Sequence, residues 1–259
     1  MQRLELVHQW LAGLFPGRPL TIAPASADAS FRRYFRVSFD DGSSRIVMDA
    51  PPEHEDCRPF VKVAGLLHGA GVHAPEILAQ DLARGLLLLS DLGSTAYIDA
   101  LNDGNADALF RDALDALVKW QLASRPDALP PYDEALLRRE LGLFPEWYVA
   151  RHLGTPLATE QQAALEGVQA TLLRNLLAQP CVFVHRDYMP RNLMVCEDNP
   201  GVLDFQDAVY GPISYDVISL FRDAFLGWEE ERIIDWSVRY WEKARRAGLP
   251  VEGDFGDFY

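Results

Sequence analysis

One stretch, Cys181 to Asp207 (CVFVHRDYMPRNLMVCEDNPGVLDFQD), constrains this chain more than any other. Cys181 to Val184 is short, apolar and β-branched, the pattern of a buried strand. His185-Arg186-Asp187 follows at once, and a loop containing Pro190 carries the chain to Asn192. Leu193-Met194-Val195 predicts a second strand. Asp198-Asn199-Pro200-Gly201 is a turn signal, and Val202-Leu203 predicts a third strand that ends at Asp204. The expectation is a hairpin-like unit that points Asp187, Asn192 and Asp204 toward a common place.

Two acids and an amide suit phosphoryl transfer, which asks the protein for positioning and charge neutralisation more than for covalent chemistry. Asp187 is placed to orient a substrate hydroxyl and accept its proton. Asn192 and Asp204 are hard oxygen ligands of the kind Mg²⁺ takes beside nucleotide phosphates. His-x-Asp-x-x-x-x-Asn, with an Asp-Phe pair further on, has the layout of a protein-kinase catalytic loop and metal site. Alone, a His-Arg-Asp is as readily a surface turn; two such elements, each at the end of an apolar run, carry the weight. His185 reads as a packed, backbone-bonded residue rather than a base, and Arg186 as half of a structural ion pair.

The chain has 259 residues, enough for one large domain or two lobes. Its 24 basic and 38 acidic residues give a net charge of −14 with no basic block, which argues against nucleic acid and anionic membranes as partners. Cys57, Cys181 and Cys196 form no CxxC, so neither a disulfide framework nor a zinc site is indicated, as suits a reducing cytoplasm. No apolar signal core opens the chain and no run approaches a membrane span.

Leu4, Val7, Leu11 and Leu14 predict an amphipathic first helix. Asp41-Gly42 between Tyr34–Phe39 and Arg45–Met48 predicts a hairpin. The small, polar loop before it, Ala25 to Ser30, lies over nucleotide phosphates if the fold is kinase-like, with Ser30, Arg32 and Arg33 adding a hydroxyl and positive charge. The competing reading is a surface turn with solvated arginines. His54 to Gly69 reads as a helix and Val72 to Leu78 as a connector. Gly85 to Leu89 reads as a buried strand ending at Ser90-Asp91-Leu92-Gly93. That junction is the expected lobe boundary (1–92 and 93–259), and, if the fold is kinase-like, Ser90 to Leu92 is where backbone pairs with adenine. Helices are expected over 106–123, over Tyr132 to His152 with Pro145 interrupting, and over Glu160 to Ala178, all three as core packing, Trp147 and Tyr148 included. A helix from Ile213 to Gly227 starts at Gly211-Pro212. Asp216 in its first turn is favourable at a helix N-terminus and, if the fold is kinase-like, holds the catalytic-loop backbone; Arg222 lies two turns on. Glu229 to Ala247 is a last helix.

HRDYMPRNLMV, VLDFQDAVYGPISYDVISLFRD, DASFRRYFRV and MDAPPEHEDCRPF together resemble the aminoglycoside phosphotransferase/choline kinase superfamily. Within it, the Leu-Asp-Phe-Gln-Asp and Met-Asp-Ala-Pro-Pro strings are most similar to the bacterial anomeric kinases of N-acetylmuramate and N-acetylglucosamine. The resemblance implies an α+β, protein-kinase-like two-lobe fold, with a small antiparallel-sheet lobe first and a larger, mainly helical lobe after it. It implies phosphorylation of a sugar C1 hydroxyl with ATP and Mg²⁺ in cell-wall sugar recycling, with Asp187 as base and Asn192 and Asp204 on the metal. It also implies further helices past Tyr259, hence a chain cut short.

One departure stands out. Kinase-like folds carry a lysine on the third strand of the small lobe, and Arg45-Ile46-Val47-Met48-Asp49 has none. Arg32 or Arg33 is the expected substitute. Asp207 is a candidate for a second metal or a sugar hydroxyl, with a solvated turn acid as the equal alternative. Arg222 is a candidate partner for the lactyl carboxylate of muramate. A kinase of choline, homoserine or an aminoglycoside, and a nucleotide-binding pseudokinase, are the competing functions.

Overall fold

The computed structural model describes residues 2–25, 31–251 and 253–259. Helix α1 (Gln2–Leu14) precedes strand β1 (Leu20–Pro24), which had no strong sequence signal. Strands β2 (Arg33–Phe39) and β3 (Ser44–Asp49) form the expected hairpin, with Gly42 at φ 81 in the turn. Helix α2 (Cys57–Gly69) starts at Asp56, whose side chain accepts the Arg58 amide, so His54 and Glu55 lie before the helix. Strands β4 (Ile77–Asp81) and β5 (Leu86–Ser90) complete an antiparallel sheet of order β1-β2-β3-β5-β4. The stretch read as a connector therefore contains the start of an edge strand; its alternation of half-buried and exposed residues follows from one covered face.

The sheet's core explains its sequence. Val7 and Leu11 of α1 pack with Val37, Phe39, Val47, Leu86 and Leu88, all buried. Full burial of side chains of this size stabilises by roughly 1.5–3 kcal/mol each. Leu87 and Leu89 alternate to the other face and are buried as well, which is why β5 reads as an unbroken apolar run.

Helix α3 (Tyr97–Ala100) and helix α4 (Ala106–Leu122) follow. Helix α5 (Glu134–Leu141) and a π-helical segment over Phe144–His152 replace the single helix expected from Tyr132 to His152. Pro145 at the second segment's start has no amide to continue the first. Helix α6 (Thr159–Ala178) leads to strand β6 (Cys181–Val184). Core packing holds for α4, where Phe110, Ala113, Leu114, Leu117 and Trp120 are buried. It fails for the next two segments. Trp147 and Tyr148 are 53% and 50% exposed, and only Leu173 of α6 is buried. The apolar residues of α6 circle the helix instead of forming one stripe, so a single packed side covers few of them.

Strands β7 (Leu193–Met194) and β8 (Gly201–Val202) pair with each other, and β6 pairs with β9 (Val209–Pro212). The single hairpin-like unit expected over 181–207 is thus two separate pairings. Gly211-Pro212 belongs to a strand and not to a helix start. Helix α7 (Tyr215–Phe221) is short and ends at Arg222, so Arg222 sits at a helix C-terminus and not two turns inside. Helix α8 (Glu230–Ala247) closes on Gly248 at φ 86, and α9 (Phe255–Phe258) is a single turn.

By compactness the chain divides into two units. One unit comprises residues 1–116 with 190–207, the other 117–189 with 208–259. The β7/β8 hairpin belongs to the unit with the five-stranded sheet: the Val195 amide donates to Thr95 and the Val202 amide to the His73 carbonyl. In the other unit the Trp120 and Phe183 rings pack at a tilt, with centroids 4.7 Å apart. There Gln121 donates to the Ile213 carbonyl at 3.1 Å and accepts the Tyr240 hydroxyl at 2.6 Å, so both ends of a buried amide are satisfied.

Candidate active site

The loop that carries Asp187 is fixed from below. His185 follows β6 directly and is buried, its ring edge-on to Tyr188 at 5.6 Å. Its Nδ1 accepts the Asp187 amide at 3.3 Å, which leaves the proton of the neutral ring on Nε2. Asp216 in α7 is also fully buried. One of its carboxylate oxygens accepts the His185 amide at 2.7 Å and the other the Arg186 amide at 3.0 Å. Burial pushes the Asp216 carboxyl up to about 7, against the pull of those two amides. Between the clamp and Asp187 stands Arg186 at φ 77, a left-handed conformation that costs a non-glycine residue about 1–2 kcal/mol. Its guanidinium pairs with Glu140, which also accepts the Tyr132 hydroxyl. Desolvation and the Glu140 carboxylate raise the Tyr132 hydroxyl. Asp187 is half-buried, and its carbonyl accepts the Met189 amide at 2.9 Å.

The other two candidates meet in the sheet-bearing unit. A short 3₁₀ turn, Pro190–Asn192, runs into β7, and the Leu203 amide donates to the Asn192 carbonyl at 2.9 Å. The residue before Asp204 is therefore bonded to Asn192. Asp204 is exposed and left-handed at φ 61. Gln206 donates to Asp204 Oδ1 at 2.8 Å and to Asp207 Oδ2 at 3.4 Å. Among the described residues only Asp127, Arg186 and Asp204 are non-glycine residues at positive φ. Such strain persists where surrounding structure enforces it, and it clusters at functional sites. No group of three or more His, Cys, Asp or Glu that could cage a metal occurs among the described residues. Two oxygen donors, an amide and a carboxylate, still fit Mg²⁺, which keeps several waters and shares phosphate oxygens.

A family model described as the phosphotransferase enzyme family matches residues 21–250. The chain belongs to the phosphotransferase enzyme family. It is 60% identical over 93% of its length to the N-acetylmuramate/N-acetylglucosamine kinase of Pseudomonas aeruginosa, covering 71% of that protein. It is 48% identical over its full length to the protein of that name from Neisseria meningitidis serogroup B, covering 78% of it. The ADP-bound aminoglycoside phosphotransferase APH(2'')-Ib shares the fold, with a TM-score of 0.65 at 14% identity, over 93% of this chain and 85% of that one. The α+β, kinase-like architecture inferred from the sequence is thereby shown.

Other candidate residues fall as follows in this phosphotransferase. Ser30 lies outside the described residues. Arg32 pairs with Glu55 at 2.9 Å. Arg33 pairs with Asp49, which is fully buried and also holds Arg3 of α1. Arg33 and Asp49 face each other across the β2/β3 ladder. The third strand, which has no lysine, thus ends in an acid that grips two guanidinium groups. Ser90 ends β5 and its hydroxyl accepts the Glu76 amide at 2.9 Å. Asp91 is held by Arg36 at 2.6 Å and Ser44 at 2.7 Å, which depresses its carboxyl despite burial. Leu92 packs so closely over Gly201 that a Cβ there would lie 2.8 Å from its side chain. Arg222 is exposed and bound to Glu230 at 2.6 Å and to the Tyr259 hydroxyl at 3.2 Å. The structure groups His185, Asp216 and the Asp187 loop, and separately Asn192, Asp204 and Asp207; Arg222 stands in a third cluster. Sequence reasoning passed over Asp49, Arg3, Asp91 and Gln206. The signal available for Gln206 was its place between two acids in Asp-Phe-Gln-Asp.

Proposed function

We propose that this chain is an ATP-dependent sugar kinase that phosphorylates the C1 hydroxyl of N-acetylmuramate and N-acetylglucosamine, a cytoplasmic step in cell-wall sugar recycling. The observation that carries the chemistry is the backbone of the two acid-bearing turns, each with a left-handed non-glycine residue. The choice of sugar rests on the names of the relatives matched above.

In this reading Asp187, aimed by the clamped and left-handed Arg186, orients the sugar hydroxyl and takes its proton. Asn192 and Asp204 hold Mg²⁺, which neutralises charge on the nucleotide phosphates when bound. Arg33, fixed on buried Asp49, supplies the cation that a third-strand lysine supplies elsewhere, with its neighbour Arg32. Ser90 to Leu92, stiffened by the Arg36–Asp91 pair, presents backbone to adenine. Asp207 receives a sugar hydroxyl, and Arg222 exchanges Glu230 for the lactyl carboxylate of muramate.

Asp187→Asn tests the central assignment. It removes the base and keeps the shape, so kcat on N-acetylmuramate should fall about 10²–10⁴-fold with ATP affinity within about twofold. Turnover near that of the wild type would end the assignment. Running N-acetylglucosamine, choline and an aminoglycoside in the same ADP-release assay decides the acceptor; phosphorylation of choline or the aminoglycoside in preference to both sugars would replace the sugar reading.

A further inference from the structure

Gln206 is only 7% exposed, although it stands between two exposed acids. Its Nε2 is 2.8 Å from Asp204 Oδ1 and 3.4 Å from Asp207 Oδ2. Two carboxylates fix the orientation of the amide, since the flipped arrangement would set a carbonyl oxygen against carboxylate oxygens. The carbonyl Oε1 is therefore the buried end, and it has no hydrogen-bond partner among the described residues. A buried acceptor without a donor is destabilising. Leu, Met or Ile would fill this volume without that penalty, so packing alone does not account for an amide here.

We propose that Gln206 is a positioning residue for the cation-binding carboxylate. The inference rests on the phosphotransferase reading above. By holding Oδ1 of Asp204, the amide N–H leaves Oδ2 as the oxygen presented to a divalent cation. It also stops the side chain from rotating on its left-handed backbone at φ 61. The same N–H ties Asp207 into the arrangement and offsets part of the repulsion between two nearby carboxylates. Partners of this kind typically govern metal affinity by 10–100-fold.

The probe is Mn²⁺, titrated into full-length protein with saturating ADP and followed by electron paramagnetic resonance. Gln206→Met keeps length and removes the amide; Gln206→Asn keeps an amide one methylene short and guards against a methionine variant that fails to fold. Each folded variant should bind Mn²⁺ at least about 10-fold more weakly, with cation-free ADP affinity unchanged. The Mg²⁺ concentration for half-maximal turnover should rise in parallel. Unchanged Mn²⁺ affinity in either folded variant would overturn the assignment. So would an equal loss of cation-free ADP binding, which would mark Gln206 as a packing residue. A wild type that binds no Mn²⁺ with ADP present would instead overturn the phosphotransferase reading as well.

Discussion

Replacing Asp216 by Asn tests how the fold holds its catalytic loop. The substitution preserves volume and leaves one oxygen where two were. Either the His185 amide at 2.7 Å or the Arg186 amide at 3.0 Å then faces an NH₂ group. Leaving a buried amide without its acceptor costs about 1–3 kcal/mol. Relaxing Arg186 out of its left-handed conformation returns about 1–2 kcal/mol, so the net loss should be no more than about 2 kcal/mol. Activity should suffer more than stability, because Asp187 directly follows the residue that relaxes, and a shift of about 1 Å in a catalytic group costs about 100-fold. A pH arm isolates the carboxyl. Its folded value, about 7, lies well above the ordinary carboxylate range, so the native chain holds that proton more tightly than the unfolded chain. This contribution to stability is complete below the unfolded value and is lost as pH rises through about 7. Asn does not titrate, so the stability gap between wild type and variant should be wider near pH 5.5 than near pH 8. Urea unfolding at both pH values, kcat, and hydrogen exchange at the amides of His185 and Arg186 together read the result. A variant with wild-type kcat, wild-type exchange at both amides and no change in the gap would refute the clamp.

Two further substitutions probe the sheet-bearing unit. Gly85→Ala places a methyl 1.8 Å from the Ala50 carbonyl oxygen at a residue with φ +68, so the Ala50–Gly85 backbone bond must break; thermal melts should show a loss of more than about 2 kcal/mol, and a melting temperature within about 2 °C of the wild type would contradict the close approach. Asp49→Ala strips a fully buried acid from two arginines that keep partial access to water, which should cost about 2–3 kcal/mol and raise the KM for ATP several-fold through Arg33; loss of stability with an unchanged KM would confine Asp49 to a structural role.

Much of this phosphotransferase was written in local sequence. Spacing of Val7 and Leu11 gave α1, Asp41-Gly42 gave the β2/β3 turn, and the unbroken run at Leu86–Leu89 gave a strand covered on both faces, because each signal depends on neighbours a few residues away. Strand partners were not legible in the same way. That β6 joins β9 rather than β7 depends on residues some thirty positions apart, and a two-residue strand such as β7 or β8 carries no period of its own. The acids of the site could be named from His-x-Asp-x-x-x-x-Asn and Asp-Phe, since metal and proton chemistry restrict residue type. Their supports could not. Asp49 gripping Arg3 and Arg33, Asp216 reaching two amides some thirty residues upstream, and Gln206 buried between two exposed carboxylates all follow from burial and hydrogen-bond geometry, which only the folded chain sets.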